Sequence, residues 1–203
     1  MGKKLIGYAK GAVRWIRSSL GNYCTRSTYF QSRRWNKVYE KEDPWQYKTN
    51  ADDIKRKEII IELARSYSPK QGYERALDIG AGEGWITTDL PAREIYGYDA
   101  SAIAMSRFPS NVRPLSRRRV KGSFDLVIAT GILYKDYGCD WVVGKINQCA
   151  SSVVITAAKK ELECGIEKIQ LEQIHRVEFR HRQGVQVVRV FKRKGTVSAV
   201  KVV

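Results

Sequence analysis

Apolar residues along this chain fall in short runs whose period switches between that of a helix and that of a strand. From Ile54 to Ser66, Ile59, Ile60 and Leu63, with Tyr67 just beyond, keep helical spacing behind a cap at Asp52 or Asp53. A strand-like run, Ala76, Leu77 and Ile79, stops at Gly80, Gly82 and Gly84, and a helix-like stretch from Trp85 to Leu90 ends at Pro91. Ile95 to Tyr98 is a second strand closing in Asp99; Ser101 to Phe108 is a short helix, and Val112 to Leu115 offers a scrap of a third strand. The unbroken run Phe124 to Thr130 reads as a buried parallel strand, followed by a helix from Trp141 to Cys149 and a fifth strand from Ser152 to Ala157. Gln173 to Arg182 and Val185 to Lys194 alternate across Gln183-Gly184, a hairpin. The expected fold is α/β: a Rossmann-like, doubly wound, mostly parallel sheet with an antiparallel C-terminal hairpin, preceded by N-terminal helices.

The chemistry concentrates where the first two strands end. Glycines let a ligand lie against main-chain atoms, and a carboxylate closing the second strand, here Asp99, is placed to accept bonds from both hydroxyls of a ribose. The spacing is G-x-G-x-G, with Asp78 before it and Glu83 inside it, whereas dinucleotide sites use G-x-G-x-x-G. Carboxylates repel a pyrophosphate and favour an ammonium or a sulfonium.

Asp78-Ile-Gly-Ala-Gly-Glu-Gly84 closely resembles motif I of the class I S-adenosylmethionine-dependent methyltransferases, and Tyr96-Gly-Tyr-Asp-Ala-Ser101 resembles their acidic second motif. Asp43-Pro-Trp45, the basic Lys55-Arg-Lys57 and Leu133-Tyr134 look like the nodulation-type (NodS-like) small-molecule methyltransferases, in which the segment around Asp-Pro-Trp folds over the cofactor. The resemblance spans about residues 35 to 158. It implies S-adenosyl-L-methionine as cofactor, held by Asp78, Gly80, Ala81, Gly82, Glu83, Gly84, Asp99, Ala100, Thr130, Leu133 and Trp45. For Trp45 a plain core anchor is an equal reading. The family's acidic residue after the third strand has no counterpart here, which puts the adenine contacts in doubt. Tyr134 and Asp136 leave the C-terminal edge of the sheet near a methyl acceptor and, with His175, are the candidate proton acceptors.

Charge changes the list of partners. Lys and Arg number 37 against 21 Asp and Glu, a net charge of +16. Residues 1–39 hold basic side chains and no acid, and Arg113, Arg117, Arg118, Arg119 and Lys121 form a second basic stretch. Residues 1–40 are expected to be a basic helical extension before a methyltransferase domain at 41–203. The first 20 residues admit three roles: a packing arm, a membrane-surface helix or a nucleic-acid contact. No apolar run is long enough to span a bilayer. Cys24, Cys139, Cys149 and Cys164 lack metal-binding spacing and are expected as reduced thiols in a cytoplasmic protein, with no metal site.

Three functions remain open: methyl transfer to N or O of a small saccharide, lipid or amine; methylation of RNA or protein through the basic surface; and cofactor binding without turnover in an interaction protein.

Overall fold

The computed structural model describes residues 28–134 and 138–194, the side chains of 28–31 excepted. The basic stretch 1–20, Cys24, and the loop residues Lys135, Asp136 and Tyr137 lie outside the described residues. Helix α1 is Thr28–Val38 and α2 is Ala51–Ser66. There follow β1 (Tyr73–Ile79), β2 (Ala92–Tyr98), α3 (Ala102–Ser106), β3 (Val112–Pro114), β4 (Phe124–Thr130), α4 (Cys139–Cys149), β5 (Ala150–Lys159), β6 (Glu172–His181) and β7 (Gly184–Lys192).

Seven strands form one sheet in the order β3-β2-β1-β4-β5-β7-β6. The first five are parallel, and β7 runs antiparallel between β5 and β6. The order reverses between β1 and β4, so the crevice outside their C-terminal ends is where this topology receives ligands. Both faces are covered, which is why β4 reads as a continuous apolar run: Leu126 and Ile128 pack with Ile60, Ile61 and Ala64 of α2, while Val127 and Ala129 pack with Val142, Val143 and Ile146 of α4. Each such fully buried Leu, Ile or Val contributes about 1.5–3 kcal/mol.

Three expectations need correction. The stretch Trp85 to Leu90 forms only a 3₁₀ turn, Thr87–Asp89. Six residues of α-helix rise about 9 Å, too little to run back along a seven-residue strand of about 23 Å, and Pro91 bars extension. The cap of α2 is Asn50, whose side-chain oxygen accepts from the N–H groups of Asp52 and Asp53. Asp53 is thereby left to turn inward. Finally, Cys139 and Cys164 are not free thiols but a disulfide with Cα atoms 6.2 Å apart, joining the start of α4 to the turn after β5. Cys149 is buried and free.

Candidate cofactor cleft

At the end of β1 the chain turns on Gly80, Gly82 and Gly84, whose φ angles of 82°, 56° and 80° lie in the region that favours glycine. The Gly80 and Ala81 N–H groups donate to the carbonyl of Tyr98 at 2.7 and 3.0 Å, which draws the loop across the end of β2. There Asp99 accepts from the N–H groups of Gly82 (2.9 Å) and Ser101 (2.8 Å). Ser101 also caps α3, its hydroxyl accepting from the N–H of Ala104, and Ala100 sits half-buried between them. Burial raises the Asp99 carboxyl to about 6, against the pull of these N–H donors.

Asp78 is buried beneath the loop. One of its oxygens accepts from the Thr87 hydroxyl at 2.6 Å, and the other, Oδ1, has no protein partner. Burial is the main reason its carboxyl rises to about 7; the Thr87 bond opposes this and the nearby Asp99 adds to it. Glu83 is spent otherwise. It binds Arg107 Nη1 at 2.6 Å and accepts from the Asp43 N–H at 3.1 Å, so its charge serves the surrounding frame.

Residues 39–50 cover this loop. The Tyr39 hydroxyl stands where a Cβ on Gly82 would come within 2.9 Å, and the Trp45 side chain lies near enough to favour its ionised form. Burial, with Asp99 close by, pushes the Tyr39 phenol well above its ordinary range. The Tyr47 ring stacks between Trp45 (6.5 Å) and Trp85 (6.1 Å), with the Arg56 guanidinium 5.0 Å over it. From the other side Ile132 presses on Gly80, leaving no room for a Cβ there.

The remaining candidates are distributed unevenly. Thr130 ends β4 half-buried in register with Ala157. Leu133 is fully buried in the core beneath α4, so the side chain against the glycine loop is Ile132. Tyr134 reaches the same edge, its hydroxyl accepting from the Lys159 N–H at 3.2 Å. Burial raises its phenol, which makes it a poor base at neutral pH. His175 lies mid-strand opposite Val190, against Tyr67 at the far end of α2. It stands six residues, about 20 Å, down β6 from the edge.

His181 and Arg182, at the hairpin turn, stand at the edge, although neither is among the site residues expected from the sequence. Buried Asp53 binds His181 Nε2 and Arg56 Nη2 through Oδ1, each at 3.1 Å, and Arg182 Nη2 through Oδ2 at 2.9 Å. Their signal was available in the hairpin itself, because a strand antiparallel to β5 must begin where β5 ends. Of the hairpin's basic residues, Arg176 pairs with Glu178, Arg189 grips Glu163 with both arms, and Arg182 holds Asp53.

Solved structures place this arrangement. N-methyltransferase NodS from Bradyrhizobium japonicum WM9 superposes with a TM-score of 0.59 at 15% identity, over 71% of this chain and 98% of that one. Magnesium protoporphyrin IX methyltransferase (ChlM) from Synechocystis PCC 6803, solved with bound SAM, gives 0.61 at 11% identity, over 85% and 100%. A SAM-dependent methyltransferase from Aquifex aeolicus gives 0.53 at 13% identity, over 75% and 99%. This chain has the class I methyltransferase fold. No protein-family model matches the chain, and no curated protein does. The glycine loop and Asp99 occupy the crevice where this fold takes its ligands. Among the described residues no helix is long and apolar enough to cross a membrane.

Proposed function

We propose that the chain is a methyltransferase that takes its methyl group from S-adenosyl-L-methionine and passes it to N or O of a small saccharide, lipid or amine. The observation that carries this is the pair of buried carboxylates at the switch point. Asp99 faces the glycine loop across 2.9 Å, and Asp78 keeps one oxygen without a protein partner. A ribose diol suits the first and an ammonium the second. The sulfonium would supply an activated methyl group, and what the chain adds is alignment and exclusion of water. Asp99 and the loop N–H groups would hold the ribose. The glycines admit the ligand's backbone contacts once Ile132 and Tyr39 draw back, and Trp45 with Tyr47 would close the cleft behind it.

For an acceptor that must shed a proton, Asp136, two residues past Tyr134, is the proposed base, and Tyr134 helps shape the edge. The aromatic cover over the edge favours a compact acceptor over a polymer. That two of the similar structures are named as an N-methyltransferase and a protoporphyrin methyltransferase supports the same class.

Calorimetry with S-adenosylhomocysteine tests the reading. The wild type should bind, and Asp99→Ala should bind at least about 100-fold more weakly, because two charge-assisted bonds of about 1.5–3 kcal/mol each are lost. Absence of heat with folded wild type refutes the proposal. Binding without turnover on any acceptor panel would instead mark an interaction protein.

A second reading, an RNA acceptor, draws on Arg118, Arg119 and Lys121, which are exposed and form no ion pair among the described residues. RNA affinity falling steeply with salt would support it.

A further inference from the structure

We propose that Arg182, in the turn between β6 and β7, is a positioning residue that latches residues 43–50 over the cleft. The claim that a donor lies beneath that segment rests on the function proposed above, but the latch itself does not.

Residues 43–50 make a turn that has to be anchored to the rest of the protein. Asp43 and Gln46, neither a glycine, have φ angles of 41° and 58°, a region that side chains disfavour. Inside the turn, the Asp43 carboxylate accepts from the N–H groups of Tyr47 (2.8 Å) and Lys48 (3.1 Å), and the Asn50 N–H reaches the carbonyl of Gln46 at 3.1 Å. These bonds fix the shape of the turn but do not place it on the protein. Such strain persists only where surrounding structure holds it.

Beside the packing of Tyr47 against Trp85 and Arg56, two hydrogen-bonded tethers do that. One is the bond from the Asp43 N–H to Glu83. The other is Arg182, more than 130 residues away in sequence, which joins three segments at one point. Its Nη2 donates to the Trp45 carbonyl at 2.8 Å and to Asp53 Oδ2 at 2.9 Å, and its backbone N–H donates to Asp52 Oδ2 at 2.7 Å. Asp53 is held rigid by His181 and Arg56, and His181 in turn accepts the Gln183 N–H on Nδ1 at 3.1 Å, so the hairpin turn is itself fixed. A guanidinium anchored on a buried carboxylate is a stiff donor, and the carbonyl it grips belongs to Trp45, whose ring stacks on Tyr47 in the cover over the glycine loop. The hairpin turn therefore sets the height of Trp45 over the glycine loop. Because Arg182 lies on the sheet edge remote from β1 and β2, it holds the cover without touching the carboxylates of the cleft.

The experiment is amide hydrogen exchange on the ligand-free, full-length protein, so it requires no donor. In Arg182→Ala the amides of Tyr47, Lys48 and Asn50 should exchange about tenfold faster than in wild type, the cost of one lost charge-assisted bond. Amides in the last turn of α4, such as that of Asn147, which open locally without releasing Arg182, should keep their wild-type rates. Wild-type exchange at 47–50 in Arg182→Ala overturns the latch. So does an equal acceleration at the end of α4, which would make Arg182 a general stability residue. Binding of S-adenosylhomocysteine, measured separately, reports on the cleft: loss of binding in the wild type with a confirmed latch would leave the cover in place over a different ligand.

Discussion

Removing Asp53 is the sharpest test of how the sheet edge is built. Its carboxylate is 1% exposed and faces two groups about as buried as itself, the Arg56 guanidinium and the His181 imidazole, at 7% and 0%. Asp53→Ala leaves a guanidinium that cannot shed its charge with no other carboxylate in reach among the described residues. Breaking a buried pair from one side costs about 3–5 kcal/mol. The Arg182 contact adds less, because that side chain is 34% exposed and solvent screens it. For a chain of 203 residues, 3–5 kcal/mol corresponds to a fall in Tm of roughly 10 °C. Urea unfolding followed by circular dichroism would measure it, together with a control in which Asp53→Leu, Arg56→Met and His181→Leu replace the whole cluster. Such apolar replacement is often neutral, so the control should stay within about 1–2 kcal/mol of wild type. A single-variant loss under about 1 kcal/mol, or a triple variant worse than the single, would refute the picture of a mutually dependent buried cluster.

Other outcomes follow from the same coordinates. Asp78 holds its proton to about 7 when folded but only to about 4 when unfolded, so across that window the native state binds more protons and stability falls as pH rises. Asp78→Asn should therefore unfold with a flatter pH profile and be more stable than wild type above pH 7, by on the order of 3 kcal/mol; parallel profiles would contradict the assignment. Reducing Cys139–Cys164, which closes a 25-residue separation, should lower stability by about 3 kcal/mol in reversible denaturation, an effect absent from Cys164→Ser. Asn50→Ala should cost about 1 kcal/mol through the lost cap of α2, and Asn50→Asp should not.

What the sequence determined was whatever depends on neighbours along the chain. The unbroken run Phe124–Thr130 could only be a strand covered on both faces, and Gln183-Gly184 between two alternating runs could only be a hairpin turn. Likewise, three glycines closing one strand and Asp99 closing the next mark the crevice, because turn geometry and strand polarity are local matters. Tertiary structure decided which charges remain for a ligand. Glu83 and Asp78 look alike in the motif, yet Arg107 and the Asp43 N–H take up the first while burial sets the second apart. It also chose His181 over His175 for the edge and brought Cys139 to Cys164. Such outcomes turn on distances between residues far apart in the chain, set by how helices and strands pack, and no local pattern of residues encodes them.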